Sequence, residues 1–386
     1  MNTRTRLLID YYIGGIAHAV LKPFVILLGR VLERDHRLDV PQDVTVVKLL
    51  GGGSLVVAYP ALLAIRRHPN VRRMRLVASP AAKPFGELLG IFDEVILIRD
   101  NAPLALMVDS LRAFARLWRT DTLIDLEIHS RLTTIFCLLT FARNRIGFYT
   151  QESFWRRGIS THLLFCQLSE GIYHFYDQVA KILGAAPISF QECGQVLHAH
   201  LHLPPAAVPG AAPKRIAVAP CCSELGRERM MKIEEWIIVL RNHFPRIQPE
   251  EIHLLGSGAD RPYLEALAAA VAAVWPAIRL TNHAGRSSLL ESVNQLAAMD
   301  QLLAIDSSLL HVARLLGIRS VSYWGPTDPR TRLRPGIVPE EVHYARLPCS
   351  PCIHIAAKTP CGGNNLCMRF AVDPNHPADK NPIWLA

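Results

Sequence analysis

The sequence lacks the compositional marks of several protein classes. Only 19% of its 386 residues are charged and 50% are hydrophobic, which excludes an intrinsically disordered chain. Its 23 glycines and 27 prolines follow no period, which excludes collagen-like and low-complexity classes. No internal repeat of solenoid or propeller length is present. The chain is therefore expected to be globular, with room for about two to three domains.

A long run of lysine and arginine is also absent, although 42 basic residues against 33 acidic ones give a formal net charge of +9. The basic residues are scattered and few aromatic residues lie between them, so nucleic acid is not the predicted partner. A positive net charge still favours anionic partners. We expect a phosphate-bearing small molecule or an anionic membrane surface.

Nine cysteines is an odd number, and a disulfide scaffold is not expected in a chain of this length. Cys137 and Cys166 lie in apolar runs, which is typical of buried, reduced thiols. These features predict a reducing compartment, and hence a cytoplasmic protein.

An uninterrupted run of the ~20 apolar residues that a membrane span needs is missing at the N-terminus. Lys22 and Pro23 interrupt the apolar stretch, and Asp10 lies where a signal peptide would be hydrophobic. Residues 1–43 are instead predicted to be a helical, apolar and basic segment that associates peripherally with a membrane. One or two helices that pack on the neighbouring domain are an equal alternative.

Short β-branched runs alternate with helical periodicity along the chain. Strands are predicted at 44–50, 74–78, 94–98, 122–126, 145–148, 216–219, 252–255, 301–305 and 320–323. This alternation predicts α/β domains with parallel sheets. Ligands bind such sheets beyond the carboxyl ends of the strands, so the loops that follow strands hold the candidate sites.

Prolines and alanines between residues 203 and 213 form the best linker candidate. They predict an N-terminal Rossmann-like domain at 44–205 and a C-terminal one at 214–345. Residues 346–386 form a cysteine-containing tail, which we expect to pack back on the N-terminal domain.

One motif follows an apolar strand and opens a helix. Asp306 can cap that helix, and the hydroxyls of Ser307 and Ser308 add donors for an anion at its N-terminus. His311 lies in the first turn. Taken alone, the pattern is more typical of an ordinary helix cap followed by a surface histidine.

The next strand ends in Gly325-Pro326-Thr327-Asp328-Pro329. Together, residues 303–329 resemble glycosyltransferase family 9, the bacterial heptosyltransferases of lipopolysaccharide assembly. The resemblance extends over about residues 44–370, through 46–67, 124–127, 145–148, 227–236, 349–352 and 361–368.

This resemblance implies a GT-B fold, which has two Rossmann-like domains and an active site in the cleft between them. It implies inverting, metal-independent transfer of a sugar, often heptose, from a nucleotide diphosphate donor such as ADP-heptose. The acceptor would be a lipopolysaccharide core or a related glycolipid, at the inner face of the cytoplasmic membrane. No cofactor and no metal are expected.

The resemblance also assigns residue roles. Asp306 and His311 become catalytic candidates that meet the donor's diphosphate and sugar. Donor-binding roles fall on Arg229, Ser307, Ser308, Leu309, Asp260, Gly256, Gly325 and Thr327.

Ser54 departs from the family pattern, because the proposed general base there is an aspartate. A neutral hydroxyl has no useful basicity near pH 7. Asp125, Glu127 and His129 follow a strand in the same domain, and Glu127 is the predicted substitute. We expect Asp125 to be structural. Ser308 is a second, milder departure, since the family has glycine there.

Ser54 also motivates an alternative from another class, a catalytically inactive nucleotide-sugar-binding or assembly protein. A GT-B nucleotide-sugar epimerase is a further alternative. The sequence does not identify the sugar, the linkage, the acceptor or the oligomeric state.

Four cysteines lie in the tail, namely Cys349, Cys352, Cys361 and Cys367. The first pair has the spacing of metal ligands, whereas the second pair is wider than in a zinc ribbon. Structural zinc is the less favoured hypothesis, and reduced cysteines are preferred.

Overall fold

The computed structural model describes residues 3–32, 35–38, 41–151, 153–203, 212–336, 340–353, 355–356 and 359–373. The chain divides into two compact units, Met1–Ser189 and Phe190–Ala386. Each unit is built on its own parallel sheet, so the α/β prediction is confirmed.

The first unit contains a six-stranded sheet in the order β3-β2-β1-β4-β5-β6. Its strands are β1 (Asp43–Lys48), β2 (Arg73–Ala78), β3 (Glu94–Leu97), β4 (Thr122–Asp125), β5 (Asn144–Tyr149) and β6 (His162–Phe165). Its helices are α1 (Thr3–Leu32), α2 (Gly53–Arg66), α3 (Lys83–Leu89), α4 (Pro103–Leu117), α5 (Arg131–Leu139) and α6 (Ile172–Ile182). Both faces of β1 are buried, because Thr45, Val46 and Val47 are all fully or almost fully covered.

The second unit contains a six-stranded sheet in the order β12-β11-β10-β7-β8-β9. Its strands are β7 (Arg215–Ala219), β8 (Glu251–Leu254), β9 (Arg279–Asn282), β10 (Gln301–Ile305), β11 (Arg319–Trp324) and β12 (Glu340–Tyr344). Its helices are α7 (Phe190–Leu201), α8 (Ile233–Ile247), α9 (Arg261–Val274), α10 (Leu289–Ala297), α11 (Ser308–Leu315), α12 (Pro329–Arg332) and α13 (Leu366–Val372). Trp236 and Leu303 lie in its hydrophobic core.

The boundary between the units differs from the predicted one. Helix α7 belongs to the second unit, because Gly194 lies directly against the backbone of Leu315 and His198 Nε2 lies 3.0 Å from Leu316 O. The first unit therefore ends at Ser189 rather than at residue 205. Most of the predicted linker, 204–211, lies outside the described residues.

The tail prediction is corrected as well. Helix α13 packs on β11, β12 and α8 in the second unit, rather than on the N-terminal domain. The reason is apolar burial, because Cys367, Met368 and Val372 join the core of the second unit.

The N-terminal segment forms one helix, α1, which packs on α5. An 18-residue window of α1 has a mean hydropathy of 1.6, so the helix is long and apolar enough to cross a membrane by length and composition. Such a helix near an N-terminus is weak evidence for a span, because signal sequences pass the same test.

Candidate functional site

Both sheets have the strand order of a doubly wound Rossmann fold. In each sheet the order reverses at the first strand, between β1 and β4 in one unit and between β7 and β10 in the other. Ligands bind at this reversal, beyond the carboxyl ends of the strands. The loops that follow these four strands carry the predicted site residues.

In the first unit, Glu127 follows β4 and reaches across to the end of β1. Its Oε1 accepts hydrogen bonds from Lys48 Nζ at 3.1 Å, Leu49 N at 2.8 Å and Leu50 N at 2.6 Å. Both charged side chains are buried. Glu127 therefore fixes the chain that leads into residues 51–54, the glycine loop. Any proton transfer would fall to its other oxygen, Oε2.

Local backbone geometry and packing explain several residues of the glycine loop. Gly51 has a φ of +72°, in the left-handed region that favours glycine. A Cβ at Gly52 would overlap the ring of Phe85. Ser54 Oγ donates a hydrogen bond to Gly51 O at 2.7 Å, so its hydroxyl closes the loop.

Asp125, at the end of β4, is enclosed by the protein. Its carboxylate accepts hydrogen bonds from Glu127 N at 3.1 Å and from Thr133 Oγ1 at 3.1 Å, and it lies 3.4 Å from the buried guanidinium of Arg156. Burial raises the pKa of Asp125 to about 6, against the opposing effect of Arg156. These contacts give Asp125 the structural role that was predicted for it, whereas His129 is exposed.

In the second unit, Asp306 is the centre of a buried polar cluster. Its Oδ2 accepts hydrogen bonds from Arg229 Nη1 at 3.0 Å and Thr327 Oγ1 at 2.8 Å, and its Oδ1 lies 3.7 Å from His311 Nε2. Burial alone would raise the pKa of Asp306, but the charges of Arg229 and His311 hold it well below its usual range. The structure thus brings together four residues that were predicted from distant parts of the sequence.

Ser307 lies beside this cluster, at the N-cap of α11. It is 8% exposed, and its Oγ has no hydrogen-bond partner in the part of the chain that the structure describes. Ser308 and Leu309 form the first helical positions, where backbone N–H groups have no partner within the helix. A buried, unpaired hydroxyl at such a helix start is suited to an anion.

Asp260 and Gly256 shape the loop that follows β8. Asp260 Oδ2 accepts hydrogen bonds from Ser257 N at 2.9 Å and Ser257 Oγ at 2.6 Å. A Cβ at Gly256 would lie 2.6 Å from Leu264 Cδ1, so close packing requires this glycine. Both residues thus have a structural role in the loop.

Cys222 lies in the loop that follows β7. Burial raises the pKa of the Cys222 thiol, Arg229 opposes the rise, and the carboxylates of Asp306 and Asp260 add to it. The thiol donates a hydrogen bond to Gly226 O at 3.0 Å.

Gly325 has a packing role at the end of β11. A Cβ there would lie 2.7 Å from Cys367 Sγ and 2.8 Å from Met368 Sδ, so the glycine lets α13 pack on the end of β11. Among the predicted donor residues of this segment, Thr327 reaches Asp306 and Gly325 supports the tail.

Two charged residues of the site were missed from the sequence. Lys48 is buried in an otherwise apolar strand, and a cation at the end of such a strand was the available signal. Arg332 contributes to the lowered pKa of Asp306 from α12. No local pattern marks Arg332, because its effect on Asp306 depends on the tertiary structure.

The four tail cysteines line one cavity together with Glu228 and Asn365. All four are free thiols. Burial, followed by the neighbouring thiols, raises the pKa of Cys367 to about 12. Within the described ranges, no group of three or more His, Cys, Asp or Glu residues is arranged to hold a metal ion.

Comparison with known proteins finds a family match within the second unit. Residues 207–361 match the family model of glycosyltransferase family 9 (heptosyltransferase), which includes the Arg229, Asp306 and His311 cluster. A search of curated proteins by sequence found no significant match.

Solved structures share the fold of the chain at low identity. ADP-heptose lipopolysaccharide heptosyltransferase II of E. coli is 16% identical with a TM-score of 0.59, over 86% of this chain and 98% of that one. E. coli heptosyltransferase WaaC with ADP-2-deoxy-2-fluoro heptose is 16% identical with a TM-score of 0.57, over 79% and 94%. A family 9 glycosyltransferase from Veillonella parvula is also 16% identical with a TM-score of 0.57, over 80% and 87%.

The two Rossmann-like units are thus those of a GT-B fold, as predicted. Residues 207–361 match the model of glycosyltransferase family 9 (heptosyltransferase), and the chain as a whole shares the fold of solved heptosyltransferases.

Proposed function

We propose that the chain transfers heptose from ADP-heptose to a hydroxyl of a lipopolysaccharide core or related glycolipid. The proposed reaction inverts the anomeric centre, because the acceptor hydroxyl attacks as ADP leaves from the opposite side. It needs no metal ion and takes place at the inner face of the cytoplasmic membrane, where the protein is peripheral.

The observation that carries this proposal is the α11 N-terminus with its buried, unpaired Ser307 hydroxyl beside Arg229 and His311. In a reaction without a metal, charge builds on the departing diphosphate and must be met by fixed donors. In this proposal, Arg229, His311 and the first N–H groups of α11 supply these donors. E. coli WaaC has been solved with ADP and with ADP-2-deoxy-2-fluoro heptose, which supports an adenine nucleotide donor.

The acceptor side depends on the first unit. We propose that Glu127 Oε2 receives the acceptor proton while Oε1 keeps its three bonds to the end of β1. Glu127→Gln separates proton transfer at Oε2 from loop positioning at Oε1, because the amide keeps an oxygen acceptor but cannot take up a proton.

An inactive nucleotide-sugar-binding protein is the second candidate. One observation favours it: Ser54, at the family's base position, uses its hydroxyl to close the glycine loop. Glycosyl transfer with an activated sugar would exclude this candidate.

A calorimetric panel of ADP, UDP, GDP, CDP and ADP-heptose without added metal tests the donor. Selective binding of ADP and ADP-heptose, lost in His311→Ala, is the expected result. Preference for another nucleotide would change the assigned donor but leave the proposed reaction class unchanged. Binding of none of them would contradict the donor site.

A further inference from the structure

Helix α1 carries its polar residues on the side that faces the protein. Five residues attach α1 to the rest of the first unit, and we call them its anchors. They are spaced four apart along the helix and are Arg6, Asp10, Gly14, His18 and Lys22. Residues at this spacing share one face of a helix. The usual pattern of a surface helix, with apolar residues inward, is therefore reversed in α1.

Asp10 is the strongest of these anchors. Its carboxylate accepts hydrogen bonds from Ser130 Oγ at 2.6 Å, Arg131 N at 3.0 Å and Leu132 N at 2.9 Å. It thereby supplies acceptors to N–H groups at the start of α5, which lack partners within that helix. This contact explains an acidic residue inside an apolar segment.

The remaining anchors follow along the same face. Arg6 Nη1 pairs with Asp100 Oδ2 at 2.5 Å, and the His18 and Lys22 side chains reach Trp155 O at 2.7 and 3.3 Å. Gly14 permits the close approach, since a Cβ there would lie 2.8 Å from Arg131 Cβ.

The rest of the helix presents a large apolar surface to solvent. Its exposed apolar side chains are Leu7, Leu8, Tyr11, Tyr12, Ile13, Ile16, Val20, Phe24, Ile26, Leu27, Leu28, Val31 and Leu32. Ile16 is 69% exposed and Phe24 is 67% exposed. Between Tyr11 and Leu32 the sequence has no acidic residue, and the exposed charged residue there is Arg30.

We propose that α1 lies in the plane of a lipid bilayer, with its apolar side among the acyl chains and its polar stripe holding the first unit at the surface. A bilayer is the fitting occupant because the exposed surface is apolar over most of the helix length, carries no acidic charge and belongs to a chain of net charge +9. Tyr11 and Tyr12 suit the headgroup boundary.

A spanning orientation does not fit the docked helix. Arg6 and Lys22, the first and last anchors, are sixteen positions apart, or about 24 Å of helix at 1.5 Å per residue. That distance is most of the roughly 30 Å thickness of the hydrocarbon core. Spanning would therefore draw Asp100, Ser130 and their polar neighbours into hydrocarbon.

The first test is flotation of the full-length protein with sealed vesicles that contain phosphatidylglycerol. We expect the wild type to float with the vesicles, and Ile16→Glu/Phe24→Glu to bind them at least about tenfold more weakly. The matched control is Val274→Glu/Leu290→Glu, which charges exposed apolar residues of the second unit and should float like the wild type. Equal flotation of both double variants, or a wild-type dimer in solution that ignores vesicles, would overturn the proposal.

The second test concerns orientation. Protein with a protease-cleavable tag ahead of Met1 is bound to vesicles from outside, and protease is then added without detergent. Complete removal of the tag is expected for an in-plane helix, whereas protection until detergent is added would show that α1 spans. This inference deepens the membrane association proposed above, but neither test uses donor or acceptor, so a wrong sugar assignment would leave both results unchanged.

Discussion

Arg229 Nη1 lies 3.0 Å from Asp306 Oδ2, and both side chains are largely buried. Arg229 thus has an acidic partner before any donor diphosphate is present. Removing the arginine alone leaves a buried carboxylate without its main counter-charge, so binding and folding are linked at this residue.

We therefore expect Arg229→Ala to lower the free energy of unfolding by about 3–5 kcal/mol. Arg229→Ala/Asp306→Asn should recover part of this loss, because the uncompensated charge is gone. Both variants should bind the nucleotide donor roughly 10- to 150-fold more weakly, since each lacks a charge-assisted contact worth about 1.5–3 kcal/mol. Urea denaturation and calorimetry measure the two effects, and unchanged donor binding in the double variant would remove Arg229 from the donor site.

The Ser307→Ala variant can distinguish an effect on donor binding from an effect on protein stability. Its hydroxyl makes no hydrogen bond within the described residues, so Ser307→Ala removes no existing contact. The melting temperature of the free protein should stay the same. Donor affinity should fall about 2- to 13-fold, as for one neutral hydrogen bond of about 0.5–1.5 kcal/mol.

Ser322→Ala is the matched control for that experiment. Its hydroxyl accepts a hydrogen bond from Trp324 Nε1 at 2.8 Å in the buried strand β11. This variant should melt at a lower temperature and bind donor normally. A Ser307→Ala variant that melts lower and binds donor as tightly as the wild type would show that the hydroxyl has a structural role only.

Glu127→Gln tests the proposed base. The amide oxygen can still accept hydrogen bonds from Leu49 N and Leu50 N, whereas the charge that faces Lys48 is lost. If Glu127 takes the acceptor proton, turnover should fall about 10²- to 10⁴-fold while donor affinity stays close to that of the wild type. The acidic limb of the pH–rate profile should disappear.

Lys48→Met is the control for that variant, because it breaks the same ion pair but keeps the carboxylate. It should retain the acidic limb of the pH–rate profile. Equal loss of turnover in Lys48→Met and Glu127→Gln, with the limb retained in both, would assign Glu127 to loop positioning alone.

The predicted and observed strands differ mainly at the sheet edges. The interior strands, such as β1 and β10, were predictable because both of their faces are buried and their sequences are continuous apolar runs. Strands β6, β9 and β12 were missed. They are outer strands whose residues are half-buried or exposed, so no apolar run marks them.

The polar site was only partly predictable. The cluster of Asp306, His311 and Thr327 follows from two adjacent loops, because β10 and β11 are neighbours that end at the same edge. The pairing of Glu127 with Lys48 could not be inferred, because it depends on β1 and β4 lying side by side across the point where strand order reverses. The polar anchors of α1 depend in the same way on a partner helix more than a hundred residues away.

Asp125 predicts an unusual pH dependence of stability. Its pKa is raised from 3.8 to about 6 in the folded protein, because burial outweighs the effect of Arg156. Between these two values the folded state holds a proton that the unfolded state has lost. The contribution of Asp125 to stability therefore falls as pH rises from about 4 to 6, by up to about 1.4 kcal/mol per pH unit.

Asp125→Asn removes this titration. The single amide oxygen can still accept the hydrogen bond from Glu127 N, whereas the bond from Thr133 Oγ1 goes to the other carboxylate oxygen and is lost, which lowers stability equally at every pH. Urea denaturation at several pH values from 4 to 7 measures the difference in unfolding free energy between wild type and variant, in which other titrating groups cancel. We expect the variant to gain stability relative to the wild type as pH rises through this window. The pKa of Asp306 is lowered, so its contribution to stability depends on pH with the opposite sign. This contribution is lost only when the pH falls below the ordinary pKa of an aspartate. A constant difference between Asp125→Asn and wild type across the window would show that the pKa of Asp125 is not raised.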